Sequence, residues 1–216
     1  MQGDANTILA RVPDQYVDLF LTDPPYGVNY RDRDGRTVKN DNTLDNVLPV
    51  FAEAFRALKP GSLCVSFYGW NRIDRFMEAW KEAGFSVVGH IVWTKKYASR
   101  ARILAYHHEQ AYVLAKGTAR KPQHPLKDVQ EFVYTGNKAH PTEKAVESLS
   151  PVIKAFSRPG EIVCEPFAGS GSTCVAAALC GRQYLGIELE QRYCDLANKR
   201  LVGAKRYANS RNKRAA

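Results

Sequence analysis

The stretch Glu161–Glu188, "EIVCEPFAGSGSTCVAAALCGRQYLGIE", decides the fold class. An apolar run ends in a glycine turn, a small-residue segment of helical length follows, and a second apolar run closes on an acidic residue. This strand, helix, strand order is typical of a parallel sheet covered by helices. Gly169 and Gly171 allow a tight turn and a close ligand approach, and the helix beyond them begins with free N–H groups. We therefore expect a nucleotide-like cofactor at this turn.

Glu188 ends the second apolar run, about twenty residues after the glycines. An acidic residue at this place commonly accepts hydrogen bonds from two ribose hydroxyls. Cys174 stands where a dinucleotide fingerprint has its third glycine, which disfavours a nicotinamide or flavin enzyme. A plain strand-to-helix turn with no ligand is the structural alternative.

The same alternation of strands and helices continues through most of the chain. Pro151 is predicted to kink or restart the helix in which it lies. From Thr94 to about Lys138 the periodicity fades, except in "EQAYVLA", and this segment is predicted to be the least regular. Strands are predicted at residues 17–22, 62–68, 85–93, 161–167 and 183–188, with helices centred near Phe51, Phe76, Leu149, Val175 and Tyr193.

Composition narrows the function classes. The 216 residues suit one α/β domain, and Lys plus Arg exceed Asp plus Glu by nine. This excess is compatible with a nucleic-acid partner or with a merely basic surface. The five cysteines form no CxxC pair and no metal-like group with histidine, which predicts reduced thiols and no metal. Lacking a membrane-length apolar run or a signal-peptide pattern, the chain is predicted to be cytoplasmic with no membrane partner.

A second informative stretch is "TDPPYG", Thr22–Gly27, which follows the apolar run "VDLFL". Its adjacent prolines remove two backbone N–H donors and fix φ, so this segment is predicted to be a rigid turn at the end of a strand. The turn carries a carboxylate and a tyrosine, Asp23 and Tyr26.

Four segments in order carry a family resemblance: "DPPYG", "HPTEK", "EPFAGSGST" and "YLGIE". They resemble the β group of DNA amino-methyltransferases, which use S-adenosylmethionine to modify exocyclic amines of bases. The resemblance spans nearly the whole chain. It implies a three-layer, Rossmann-like α/β methyltransferase fold of class I, with a mostly parallel sheet and a permuted motif order. It further implies a short inserted target-recognition region over 95–138. Length and charge pattern predict a single domain over residues 1–216 with a basic tail over 205–216.

The resemblance gives the rigid turn a catalytic role, carried by Asp23, Pro24, Pro25 and Tyr26. The amino nitrogen of adenine is a weak nucleophile because its lone pair is delocalised into the ring. Hydrogen-bond acceptors placed at its hydrogens, here the Asp23 carboxylate and the Pro24 carbonyl, favour the attacking geometry. Tyr26 would stack on a base extruded from the duplex. The alternative makes Asp23 a helix cap and Tyr26 a core aromatic.

The resemblance also assigns cofactor contacts. The loop at Phe167 would lie under the methionine portion, Glu188 would bind the ribose, Asp4 would read the adenine amino group, and "HPTEK" would pack near the methionine carboxylate. Glu165 departs from the family, which more often has Asp. For the start of "HPTEK" a helix-capping role is the alternative, and an edge strand before Asp4 is predicted to be short or absent. The full set is Asp4, Asp23, His140, Thr142, Lys144, Glu165, Phe167, Ala168, Gly169, Gly171 and Glu188.

Contacts with double-stranded DNA are expected from the loop after the turn and from residues 95–138. The latter segment is short, which predicts few base-edge contacts and relaxed or short-site specificity. His107 and His108 lack a third ligand and are not predicted to bind metal. A homodimer is left open. The candidate DNA-binding residues are Arg31, Arg33, Lys95, Lys96, Arg100 and Arg102.

The resulting prediction is an S-adenosylmethionine-dependent DNA methyltransferase acting on adenine, because the Asp-Pro-Pro-Tyr form is the family's usual adenine version. Methylation of the cytosine 4-amino group is the near alternative, and a catalytically idle DNA-binding module is the alternative from another class. The resemblance implies a bacterial, phage or plasmid-encoded enzyme of DNA methylation or restriction-modification.

Overall fold

The computed structural model describes residues 1–31, 35, 37, 39, 41–99, 103–134, 136 and 143–215, with the backbone alone for Ser99 and 207–215. The helices are α1 (Ala5–Leu9), α2 (Val50–Ala57), α3 (Ile73–Glu82), α4 (Val146–Phe156), α5 (Ser172–Leu179) and α6 (Gln191–Ala215). The strands are β1 (Val17–Thr22), β2 (Leu58–Phe67), β3 (Ser86–Ser99), β4 (Tyr106–Ala115), β5 (Val129–Glu131), β6 (Ile162–Glu165) and β7 (Gln183–Gly186).

The strands form one seven-stranded sheet in the order β5, β3, β4, β2, β1, β6, β7. All neighbouring pairs are parallel except those that involve β4. From β1 the chain continues to β2 on one side, while β6 lies on the other side and leads outward to β7. The carboxyl ends of β1 and β6 therefore meet at a topological switch point, where α/β sheets bind their ligands.

Strand β1 is buried at every residue because helices cover both faces of the sheet. Phe20 packs in one core cluster with Phe51 of α2 and Trp80 of α3. Leu19 and Leu21 point the other way, into a cluster with Leu149 of α4. This alternation confirms the predicted three-layer architecture with a mostly parallel sheet.

The predicted restart at Pro151 is wrong, because α4 runs through this residue as one helix, while the predicted kink stays a prediction. Proline removes the N–H that would bond to the carbonyl of Glu147. Three side chains of the helix, Leu149, Val152 and Ile153, are at most 2% exposed. Burial of this apolar face outweighs the missing hydrogen bond.

Between Thr94 and Lys138 the prediction of irregular structure is wrong for three stretches outside "EQAYVLA", namely the end of β3, the start of β4 and the short β5. Strand β3 continues to Ser99, and the whole of β4 follows. In register, Phe67 at the end of β2 faces Ala111, which faces Ile91. Beyond this row β3 and β4 extend past the end of β2 as a ribbon, which β5 joins at residues 92–94; we name this ribbon the arm (residues 92–99 and 103–110).

At the N-terminus a single bridge pairs Gln2 with Glu188, and the Gly3 N–H donates to the Glu188 carbonyl at 2.9 Å. The predicted edge strand is therefore reduced to one bridging residue. None of the helices in the described part of the chain is both long and apolar enough to cross a membrane.

Candidate active site

The segment after β1 forms an irregular turn that we name the clamp (Asp23–Tyr26). The Tyr26 hydroxyl donates to Asp23 Oδ1 at 2.6 Å, and Asp23 caps no helix. Burial, together with the Asp23 carboxylate, raises the pKa of Tyr26 well above its ordinary value. The hydroxyl therefore stays protonated and keeps donating to the carboxylate.

A residue that sequence reasoning missed fixes the chain after the clamp. Asp41 is 4% exposed, and its two carboxylate oxygens accept the N–H groups of Gly27 and Tyr30 at 2.8 and 2.7 Å. A buried carboxylate with two backbone donors is a strong local anchor. Nothing in the surrounding polar sequence, "KNDNT", distinguishes Asp41 from its neighbours.

Lys144 lies on the clamp. Its ammonium donates to Asp23 Oδ2 at 2.7 Å, with a side chain only 10% exposed, and sits 4.8 Å from the centre of the Phe67 ring. Burial works to lower the pKa of Lys144, but the carboxylates of Asp23 and Glu109 raise it, and the net direction is upward. The lysine is therefore charged at neutral pH. The resemblance implied a place near the cofactor carboxylate, whereas the structure pairs this residue with Asp23.

Lys95 corrects a sequence prediction. Its side chain is buried, and its ammonium is ion-paired with Glu109 of β4, so this lysine is not presented to a phosphate. Burial works to raise the pKa of Glu109, but the ammonium groups of Lys144 and Lys95 lower it overall. Arg31 and Lys96 are exposed, while Arg33, Arg100 and Arg102 lie outside the described residues.

The glycine loop, Phe167–Gly171, connects β6 to α5. Gly171 has φ +81°, and a Cβ there would lie 2.7 Å from Cβ of Ala197 on α6. Gly169 has φ +50°, and its N–H donates to Glu188 Oε2 at 2.8 Å. The loop thus needs glycine for its backbone conformation and for its contact with α6. Phe167 and Ala168 are half-buried beside it.

Two carboxyl groups border this loop. Glu165 is 3% exposed, accepting the Phe167 N–H at 3.1 Å and the Thr173 hydroxyl at 3.2 Å. Burial raises the pKa of Glu165 to about 8, so it is largely neutral at pH 7 in the free protein. Burial also raises the pKa of Glu188, opposed by the N–H groups of Glu190 and Gly169.

These groups fit S-adenosylmethionine by the chemistry of their donors and acceptors. Each Glu188 oxygen accepts one backbone N–H, Oε1 from Glu190 and Oε2 from Gly169, and each keeps a lone pair for a ribose hydroxyl. A buried carboxyl group such as Glu165 becomes favourably ionised beside an ammonium group. The loop between them presents backbone without side chains at Gly169 and Gly171.

Other predicted cofactor residues are placed less directly. Asp4 Oδ1 caps α1 by accepting the Thr7 N–H at 2.9 Å, one residue from the backbone bond to Glu188. The capping bond occupies one of its oxygens. His140 and Thr142 lie outside the described residues.

Arg200 of α6 is a further residue that the sequence did not reveal. Its guanidinium donates to the Ser170 carbonyl and hydroxyl at 2.9 and 2.7 Å, and pairs with Glu143 at 2.9 Å. It therefore joins the glycine loop to the residue directly before Lys144. On α6 it is one of many basic residues, so the sequence offers no signal for it.

Comparison with known proteins agrees with this geometry. Over residues 17–199 the chain matches the family described as DNA methylase, whose members act as N6 and N4 methyltransferases. The chain belongs to the DNA methylase family. The clamp segment precedes the glycine loop in the sequence, which is the motif order of the β group, and S-adenosylmethionine is the cofactor of this family.

Individual known proteins resemble the chain over nearly its full length. The Escherichia coli K12 protein named "Putative methylase YubD" is 54% identical, covering 95% of this chain and 91% of its own. DNA adenine methyltransferase YhdJ of the same strain is 28% identical, covering 96% and 84%. TTHA0409 of Thermus thermophilus, solved with S-adenosylmethionine, has a TM-score of 0.74 at 26% identity, covering 94% of both chains.

A second solved structure, PvuII DNA methyltransferase, shares the fold with a TM-score of 0.76 at 17% identity. It covers 96% of this chain and 90% of its own, and it is cytosine-N4-specific. Among the described residues of this chain, no three His, Cys, Asp or Glu side chains come together as metal ligands.

Proposed function

We propose that this DNA methylase transfers a methyl group to the 6-amino group of adenine in double-stranded DNA. The observation that carries the proposal is the clamp itself, with Asp23 held by Tyr26 and Lys144 at the switch point beside the glycine loop. The acceptor is thus fixed before substrate arrives, as efficient electrostatic catalysis requires. The relative named as an adenine methyltransferase supports adenine as the base.

In this proposal Asp23 and the Pro24 carbonyl accept the two hydrogens of the base amino group and turn its nitrogen toward the methyl donor. Tyr26 contacts the plane of an extruded base, since the amino group is inaccessible inside the duplex. S-adenosylmethionine supplies the methyl group when bound. Phe167, Gly169, Gly171, Glu165 and Glu188 hold it at the switch point.

Lys96 and Arg31 are the exposed members of the predicted DNA-binding set that the structure describes. We place target recognition in residues 95–138 and an additional electrostatic contribution in the tail, residues 205–216. Much of the former segment is β4 and the end of β3, which leaves little chain for base-edge contacts. Relaxed or very short sequence specificity is expected on this ground.

Cytosine 4-amino methylation is the second candidate, because that base also presents an exocyclic amine with two hydrogens to the same acceptors. A catalytically idle DNA-binding module is the candidate from another class. An idle module has no use for a partly buried Asp23 and Lys144 ion pair next to a preserved glycine loop.

The test is incubation of the purified protein with S-adenosylmethionine and unmethylated double-stranded DNA, followed by nucleoside mass spectrometry. N6-methyladenine is expected from the wild type and from Glu82→Ala, which removes an exposed carboxylate at the far end of α3. Asp23→Ala is expected to yield none while still binding the cofactor. Methylcytosine as the product would change the assigned base from adenine to cytosine. Cofactor binding without methylation would favour the idle module.

A further inference from the structure

An aromatic pair, with one ring exposed and one half-buried, lies beside the clamp. Trp70, three residues beyond the end of β2, is 59% exposed, whereas Trp80 and Trp93 are at most 1% exposed. The Trp70 ring stacks on Tyr106, the first residue of β4, with centroids 5.8 Å apart and planes 27° apart. A large indole left in solvent contributes little to the core, which suggests a binding role.

The pair is continuous with the active site. A Cβ at Gly69 would lie 2.9 Å from Cβ of Tyr26, so the backbone directly before Trp70 packs against the clamp. Tyr106 belongs to the arm, which extends past the end of β2 on the same side as the carboxyl ends of β1 and β2. The stacked rings therefore lie at the rim of the proposed base site.

The surroundings of the pair favour an anionic ligand. Arg72 and Arg75, both exposed, line a surface pocket next to the clamp together with Gly27, Thr43 and the acidic Asp45. Arg75 also lies 3.9 Å from the Glu78 carboxylate, whereas Arg72 has no ion pair within the part of the chain that the structure describes. Lys96 is exposed on the arm. Proteins commonly bind unpaired nucleotides with aromatic rings, which stack on the bases, and with guanidinium and ammonium groups, which neutralise the phosphates.

We propose that the Trp70 and Tyr106 pair binds an unstacked base next to the target, with the neighbouring phosphate in the Arg72 and Arg75 pocket. The inference rests on the proposed function in taking DNA as the ligand. It names a contact outside the clamp and the cofactor loop. Extruding a base disrupts stacking of its neighbours, and an aromatic surface at the rim compensates for that loss.

The test compares Trp70→Ala and Trp70→Phe with Tyr16→Ala. Tyr16 is 45% exposed and directly precedes β1, so its replacement removes an exposed aromatic side chain at the amino-terminal end of that strand, opposite the clamp. The probes are a short single-stranded DNA of mixed sequence and the corresponding duplex. Trp70→Ala is expected to weaken single-strand binding about tenfold or more and to leave cofactor affinity unchanged. Trp70→Phe and Tyr16→Ala are expected to stay within about threefold.

Intrinsic fluorescence of the wild-type protein provides a second readout that needs no variant to fold. Because the other two tryptophans are buried, single-stranded DNA should quench mainly the Trp70 emission and shield it from acrylamide. Unchanged DNA affinity in Trp70→Ala with no quenching in the wild type would overturn the inference. Weakened cofactor binding and a lowered Tm in Trp70→Ala would instead assign the pair to holding the arm.

The two proposals fail in different ways. Trp70-dependent binding of single-stranded DNA without any methylation would remove the proposed function and leave this contact standing. Methylation of DNA by Trp70→Ala at wild-type kcat and KM would leave the proposed function standing and remove the Trp70 contact.

Discussion

Asp23 is the residue on which the site depends, because both of its carboxylate oxygens are engaged. Oδ1 accepts from Tyr26, three residues away, and Oδ2 from Lys144, which is 121 residues away in the chain. The sequence predicted the importance of Tyr26, the nearby partner, but not the distant pair, since only folding brings Lys144 to the end of β1. Each oxygen retains a lone pair for the amino hydrogen of a base.

Replacing Lys144 tests whether it positions Asp23. Lys144→Met removes the cation that fixes Oδ2, and kcat is expected to fall about tenfold to hundredfold because the acceptor is displaced. The affinity for S-adenosylmethionine should remain within about threefold, which calorimetric titration would check. Lys144→Arg keeps the charge and is expected to recover part of kcat.

A large loss of cofactor affinity in Lys144→Met, with kcat preserved at saturating cofactor, would contradict this role. It would support the contact with the methionine carboxylate that the resemblance implied. Thermal stability is a necessary control, since removal of one partner leaves a partly buried charge uncompensated.

Glu165 makes stability depend on pH. Its pKa is about 8 in the folded chain against an ordinary value of 4.5. Between these values the unfolded chain loses a proton that the folded chain retains, so rising pH stabilises the unfolded state. The contribution of Glu165 to the free energy of unfolding is therefore most favourable below pH 4.5 and is lost by about pH 8.

Glu165→Gln is therefore expected to raise the Tm of the cofactor-free protein at pH 8 by about 5 °C or more. Near pH 5 the wild type and the variant should differ little, because the wild-type carboxyl group is then neutral when folded. Scanning calorimetry across this range measures the difference. A constant offset at every pH would mean that Glu165 is already ionised in the fold.

At the scale of elements, the turn from β6 to α5 is the most constrained. Gly171→Ala must place a Cβ 2.7 Å from Cβ of Ala197 at φ +81°, so both backbone strain and collision with α6 result. We expect a loss of about 2–4 kcal/mol in the free energy of unfolding and weaker cofactor binding.

Gly160→Ala is the matched control for Gly171→Ala. Gly160 has φ +83° but nothing within 4 Å of an added Cβ, so only the conformational cost of about 1–2 kcal/mol applies. Denaturant unfolding of both variants separates the two contributions. Equal losses in the free energy of unfolding would show that α6 moves away at Ala197 without a measurable cost.

Helices and strands with a clear local sequence pattern could be predicted from the sequence. Those stabilised by packing or pairing with other elements could not. β1 and α5 have continuous apolar or small-residue runs between clear breakers, and the structure places them where the sequence did. The helix through Pro151 and the strands of the arm contradict the local pattern. Their stability comes from the buried face of α4 and from pairing along β3 and β4, which no local window contains.

At the scale of the whole molecule, the order of motifs along the chain differs from their order in space. The clamp follows β1 and the glycine loop follows β6, far apart in sequence, yet β1 and β6 are neighbours in the sheet. The resemblance predicted this convergence, and the switch point explains it physically. The arm and the Trp70 and Tyr106 pair had no counterpart in the sequence reasoning, because exposure of Trp70 is a property of the folded surface.

The net charge of +9 leads to a prediction for the molecule as a whole. Neutralising DNA phosphates releases condensed counterions, so DNA affinity should fall steeply with salt, by at least about tenfold between roughly 50 and 200 mM. Lys96→Ala removes an exposed cation on the arm and should reduce the slope of log K against log salt by about one.

Lys81→Ala removes another exposed lysine, at the end of α3 and therefore near the start of β3, far from the arm. It should leave the slope unchanged. Fluorescence anisotropy with labelled duplex across a salt series measures all three proteins. Equal slopes for the two variants would mean that the positive charge acts as a diffuse field, and that the arm does not lie along the phosphate backbone.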